Sequence, residues 1–141
     1  MVAERRGRWL AVDFGERRIG IAVSDELELL ATPLQVLPAR GQRHDIPAIL
    51  ALAEQEGVSG IVVGWPLRDD GARTEVTERA ERFARRLAAQ TTLPVVLHDE
   101  RFTTWEARQR RGRRARGPDD AAAAAVLLES FLATRRRESQ A

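Results

Sequence analysis

The chain has 141 residues, 43% hydrophobic and 31% charged with a net charge of +2, enough for one domain with a buried core. It contains no Cys and no Tyr, and all 23 of its Lys+Arg residues are Arg, which excludes disulfides, thiolate zinc sites, thiol or tyrosine nucleophiles, and Schiff-base or Walker lysines. The start Met1–Arg6 has no signal-peptide core and no apolar run is long enough to cross a bilayer, so the expectation is a soluble, cytoplasmic protein with no membrane partner.

Residues 1–7 read as a polar tail. Residues 8–14 and 18–24 predict two strands joined by a tight turn over Gly15–Arg17, a hairpin. A third strand is expected over Glu28–Leu37, interrupted or ended around Pro33. Ile46, Ile49, Leu50 and Ala53 recur at helical spacing and predict a helix over 45–56 that stops at Gly57. Gly60–Gly64 is a continuous apolar run of the kind buried in parallel strands. The turn-rich loop Trp65–Gly71 leads to a second helix over 74–90, with Val76, Ala80, Phe83, Ala84 and Leu87 on one face. Pro94–His98 is the last strand. A short helix over 104–111, a basic loop over Gly112–Gly117 and a final helix from Pro118 to about Arg136 follow, with 137–141 a second tail.

A hairpin followed by alternating strands and helices implies an α/β fold: a mixed five-stranded sheet with helices on both faces, in a single domain over 1–141. Ligand sites in such sheets lie beyond the carboxyl ends of the parallel strands. Asp13 ends the first strand and Glu100 closely follows the fifth, which puts both on one rim if those strands are parallel neighbours.

An ionised carboxylate beside an apolar strand is costly to desolvate unless positive charge meets it. Asp13, Glu100 and Asp120 all have such settings, and three acids far apart in sequence would gather around divalent metal ions. Each has a plainer reading. Asp13 could bond its own backbone before Gly15, and Glu100 competes with Asp99. Asp119 and Asp120 after Pro118 suit the first turn of a helix, where its dipole favours acids. Seven arginines, Arg101, Arg108, Arg110, Arg111, Arg113, Arg114 and Arg116, stand against one acid, Glu106, the footprint of a polyanion contact or of an arginine-biased solvated surface. Trp65 could stack on a nucleobase or simply belong to the strand-to-helix connection. His98 reads as a packed strand residue, and Thr103 or Thr104 as a helix N-cap.

Four blocks carry a resemblance: Val12-Asp13-Phe14-Gly15 with Arg18–Asp25; Ile61–Leu67 with Gly71; Asp99–Thr104 with Glu106-Ala107; and Asp120 with Ala123-Ala124, Leu127-Leu128 and Phe131-Leu132. Together they resemble the YqgF/RuvX family, Holliday-junction-resolvase-like proteins described as pre-16S ribosomal RNA nucleases, over about residues 8–133. The resemblance implies a ribonuclease H-like fold and a metal-dependent nuclease whose acidic triad falls on Asp13, Glu100 and Asp120. The nearly all-alanine stretch after Asp120 departs from the family's mixed apolar residues and leaves Asp119 as an alternative third ligand.

On this reading two Mg²⁺ or Mn²⁺ ions, roughly 3.5–4 Å apart, serve phosphodiester hydrolysis. Asp13 bridges them, Glu100 and Asp120 flank it, and Asp25 is an auxiliary ligand. Arg17, Arg18, Trp65, Arg101 and the 108–116 arginines hold the nucleic acid. The expected partner is an RNA precursor at the 5′ end of 16S ribosomal RNA, with ribosomal particles as a further candidate, or else branched DNA. The sequence leaves monomer or homodimer open. The rivals are a non-catalytic RNA-binding assembly factor and, because Asp13-Phe14-Gly15 also resembles a first phosphate loop, an actin/sugar-kinase-like ATPase.

Overall fold

The computed structural model describes residues 7–102 and 120–140. Five strands, β1 (Trp9–Phe14), β2 (Arg18–Ser24), β3 (Ala31–Pro38), β4 (Gly60–Trp65) and β5 (Val95–Asp99), form one sheet in the order β3-β2-β1-β4-β5. The first three are antiparallel neighbours; β1 pairs parallel with β4, and β4 with β5. The carboxyl ends of β1, β4 and β5 therefore share one rim, together with the β1–β2 turn.

Alternation along the strands divides the core into two layers. Leu10, Val12, Ile21, Ile61 and Val63 face α1 (Gln42–Glu56) and α2 (Glu75–Ala88), meeting Ile46, Ile49, Phe83 and Leu87. Trp9, Ala11, Ala22 and Val62 face the last helix, α3 (Asp120–Gln140), and meet Ala124, Ala125, Leu128, Phe131 and Leu132. The alanines of α3 meet small sheet residues, Ala11 and Ala22, the combination that lets a helix lie close on a sheet.

Three boundaries differ from the sequence expectation by three residues or more; one is the end of α3, which runs on to Gln140 through most of the tail expected at 137–141. β3 begins at Ala31, because residues 25–30 form a turn in which Asp25 Oδ1 accepts the N–H groups of Leu29 (2.8 Å) and Leu30 (2.9 Å). Glu28 sits there at φ 59°, in the left-handed region. α1 begins at Gln42, before the apolar spacing starts: its buried Asp45 accepts the N–H groups of Arg40 (3.0 Å) and Gly41 (3.0 Å), satisfying donors that a bare helix start leaves unmet. α2 begins with a reciprocal Thr74–Thr77 cap, and the Thr77 hydroxyl also donates to the Pro66 carbonyl, tying the β4–α2 loop to the helix. The expected helix over 104–111, its Thr103 or Thr104 cap, the basic loop and Pro118-Asp119 lie outside the described residues. Among the described residues no helix is long and apolar enough to cross a membrane.

Candidate active site

Asp13 follows Val12, which pairs with Val63 of β4, so Gly64 is its neighbour one step further along the parallel pair. Phe14 stacks on Phe83 of α2 with ring centroids 4.4 Å apart. By alternation Asp13 faces the other way, toward the layer that α3 covers. Gly64 pairs with His98, and Glu100 comes two residues after His98, at the start of a single 3₁₀ turn (Glu100–Phe102).

Glu100 turns its carboxylate over Gly64: Oε2 lies only 2.5 Å from where a Cβ on Gly64 would stand. The missing side chain is thus the space the carboxylate occupies. Neighbouring strands are about 4.8 Å apart, so this geometry brings the Glu100 head group beside Asp13, on the same rim and the same face. Both are partly exposed.

Asp120, the third expected acid, opens α3 at the backbone level. The far end of that helix is fixed at the opposite rim: Arg135 Nε donates to Glu28 (2.8 Å), and Arg136 Nη1 to the Glu28 carbonyl (3.0 Å). Glu28 follows β2, whose last residue, Ser24, accepts the Trp9 N–H at the beginning of β1. From Asp120 to Arg135 the helix rises about 22 Å, and the six residues of β1 span about 20 Å.

The remaining expected residues divide. Arg17 and Arg18 are exposed at the hairpin turn, on the rim that carries Asp13. Asp25 is not with them. β2 runs antiparallel to β1, so its end lies where β1 begins, about 16 Å from Asp13 along the strand. The Asp25 carboxylate closes the turn described above, and the Leu30 N–H, with further backbone donors, holds its pKa below 3.8 despite some desolvation. The structure thus gives Asp25 a turn-forming role in place of the auxiliary-ligand role. Trp65 points to the α2 face, its indole N–H donating to Glu81 Oε2 at 2.9 Å, on the sheet side away from Glu100. It lines an open cleft of about 590 Å³ between α2 and β5, which Asp13 and Glu100 do not border.

Arg101 forms a fork with Asp99. The arginines at 108, 110, 111, 113, 114 and 116 lie outside the described residues. His98 is buried as expected, with Nε2 2.9 Å from the Ser130 hydroxyl of α3 and its ring edge-on to Phe131. Burial favours the neutral imidazole and lowers its pKa below 6.5, against the opposing pull of Asp99 toward the charged form.

The donor chemistry fits a hard divalent cation: carboxylate oxygens on a shared rim, with room made for one of them by a glycine. Among the described residues no three acidic or histidine side chains surround a common point, so Asp13 and Glu100 would need a further ligand.

Comparison with known proteins decides the family. A family profile described as Holliday junction resolvase (RuvX) matches residues 7–134. The chain belongs to the RuvX family. A relative from Azotobacter vinelandii named "Putative pre-16S rRNA nuclease" is 46% identical, covering 89% of this chain and 93% of its own. One of the same name from Koribacter versatilis is 43% identical, covering 92% and 88%. Among solved structures, RuvC from T. thermophilus in complex with a Holliday junction substrate superposes with a TM-score of 0.67 at 15% identity, over 93% of this chain and 96% of that one. The large terminase nuclease of phage G20c follows at 0.54 and 15%, over 89% and 82%. These likenesses show the fold, a ribonuclease H-like mixed sheet, and family and fold together support a nuclease role for this RuvX member.

Proposed function

We propose that this chain is a divalent-metal-dependent phosphodiesterase that trims precursor RNA at the 5′ end of 16S ribosomal RNA in the cytoplasm, working as one nuclease domain. The observation that carries the reading is the Glu100 carboxylate lying over Gly64 beside Asp13. Two carboxylates on one rim are the oxygen donors a hard divalent cation takes, and the glycine makes room for one of them. The names of the 46% and 43% identical relatives support precursor ribosomal RNA as substrate.

Asp13 and Glu100 are the first two metal ligands. A helix anchored at one rim and as long as the sheet carries its first residue toward the other, which supports Asp120 as the third. Bound Mg²⁺ or Mn²⁺ would supply an activated water and neutralise the charge gathering on the phosphoryl group. The protein's own part is to hold oxygen donors and to orient the strand to be cut. Arg17 and Arg18, on the same rim, and the arginines of 108–116 grip backbone phosphates, setting position rather than sequence preference.

The test is side-by-side cleavage of labelled precursor RNA and four-way junction DNA, each with Mg²⁺, with Mn²⁺ and with chelator. The expected result is metal-dependent RNA cleavage, abolished in folded Asp13→Asn. Mutant activity equal to wild type would overturn the site, and cleavage confined to the junction would move the substrate to branched DNA, as the family profile's description suggests.

A further inference from the structure

The two residues flanking Glu100 hold each other. The Arg101 N–H donates to Asp99 Oδ1 at 2.9 Å, and its Nη2 to Oδ2 at 2.8 Å, with Nε within 3.2 Å of both oxygens. The pair closes a ring around the Glu100 backbone. Asp99 is in register with Trp65, hence on the sheet face opposite Glu100. Its side chain is only 7% exposed, and although burial pushes its carboxyl up, the Arg101 hydrogen bonds and charge outweigh that and leave its pKa lowered. The third corner of the guanidinium, Nη1, reaches the Asp69 carbonyl (3.5 Å) and lies 3.3 Å from where a Cβ on Gly71 would stand, at φ 87°.

We propose that Arg101 is a positioning residue for Glu100: clasped to Asp99 on one side of the strand end, it locks the 3₁₀ turn that projects Glu100 over Gly64 on the other, and it braces the 66–73 loop against β5. This rests on Glu100 being a metal ligand. It replaces the expectation of Arg101 as a phosphate contact, because Nε and Nη2 are committed to a buried carboxylate. A lysine there keeps the charge but cannot make the fork.

Arg101→Lys tests it. Outer partners that orient a ligand carry about 10–100-fold in metal affinity. The variant is therefore expected to bind Mn²⁺ at least about tenfold more weakly by calorimetry without nucleic acid. Its kcat should fall while KM for RNA and the salt dependence of binding hold. Because removing one partner can leave the other charge buried and unpaired, the double variant Asp99→Asn/Arg101→Gln keeps a neutral pair and is expected to fold and to show the same loss of Mn²⁺ affinity. Unchanged Mn²⁺ affinity in both variants overturns the proposal. If KM rises as well, and the slope of log K against log salt becomes shallower by about one, Arg101 is a phosphate contact. A Glu100→Gln control that binds Mn²⁺ like wild type would instead remove the metal reading of Glu100, and the brace with it, a result that the Arg101 variants alone do not produce.

Discussion

Gly64 is where one missing side chain has the largest effect on the site. Its backbone is not at positive φ and the three atoms nearest its would-be Cβ all belong to the flexible Glu100 side chain, so Gly64→Ala should fold with a Tm change of less than about 4 °C, the scale of 1 kcal/mol or so for a domain of this size. The displaced carboxylate should lower cleavage at least tenfold, on the order of the loss from misplacing a metal ligand's surroundings. Cleavage at the wild-type rate with unchanged Tm would show that Glu100 does not depend on this space. Asp25 makes a prediction of the opposite kind. Its folded pKa lies below 3.8, so its contribution is present above that value and is lost as the pH falls through the folded one. Asp25→Asn should therefore melt below wild type near pH 7, with the gap closing as the pH falls below 3.8 and through the lowered folded pKa, while cleavage at neutral pH persists. A constant gap from pH 7 to 2 would contradict the assignment. Asp13 and Glu100 were legible in sequence because acids at the ends of apolar strands are conspicuous. Gly64 was not, since a glycine closing an apolar run says nothing about which side chain from another strand will fill its space.

At the scale of elements, the sequence predicted the hairpin, α2, β4 and β5 to within a residue or two, because turn glycines and clean periodicity mark them. The error at β3 has a specific cause. Leu27, Leu29 and Leu30 resemble strand residues, yet they are exposed on a turn whose shape is set by side-chain bonds from Asp25 and by a buried Glu28 that sequence alone leaves unpartnered. The same Glu28 anchors α3, accepting hydrogen bonds from Arg135, whose guanidinium also lies 4.9 Å from the Trp9 ring centroid. Glu28 is buried but the Arg135 side chain is 33% exposed, so losing this partner falls short of a fully buried pair and costs about 1–3 kcal/mol, the scale of hydrogen bonds to a charged group. Arg135→Ala should therefore lower unfolding free energy by about that amount in a denaturant titration, and Glu28→Gln/Arg135→Met should recover part of it. A loss of under about 1 kcal/mol would make the pair an ordinary surface contact. In sequence Arg135 simply falls near the end of the expected final helix; a contact 107 residues away has no local signature.

For the whole molecule, topology does what no single motif does. The parallel pairing of β1, β4 and β5 brings residues 13, 64 and 100 to one rim, and the antiparallel hairpin adds Arg17 and Arg18 to that rim while sending Asp25 to the other. The hairpin already implied this fate for Asp25: the end of a returning strand lies where its partner started. What periodicity does not supply is the direction of α3 across the sheet, which follows from the Glu28 anchor. On the proposed function, acids from the first strand, the end of the fifth and the start of the last helix share bound cations. The anomalous difference density of crystals soaked in Mn²⁺ tests this most directly. A peak is expected contacting the carboxylates of Asp13, Glu100 and Asp120, absent in Glu100→Gln crystals. Mn²⁺ found elsewhere, or an Asp120 side chain remote from the other two, would contradict it.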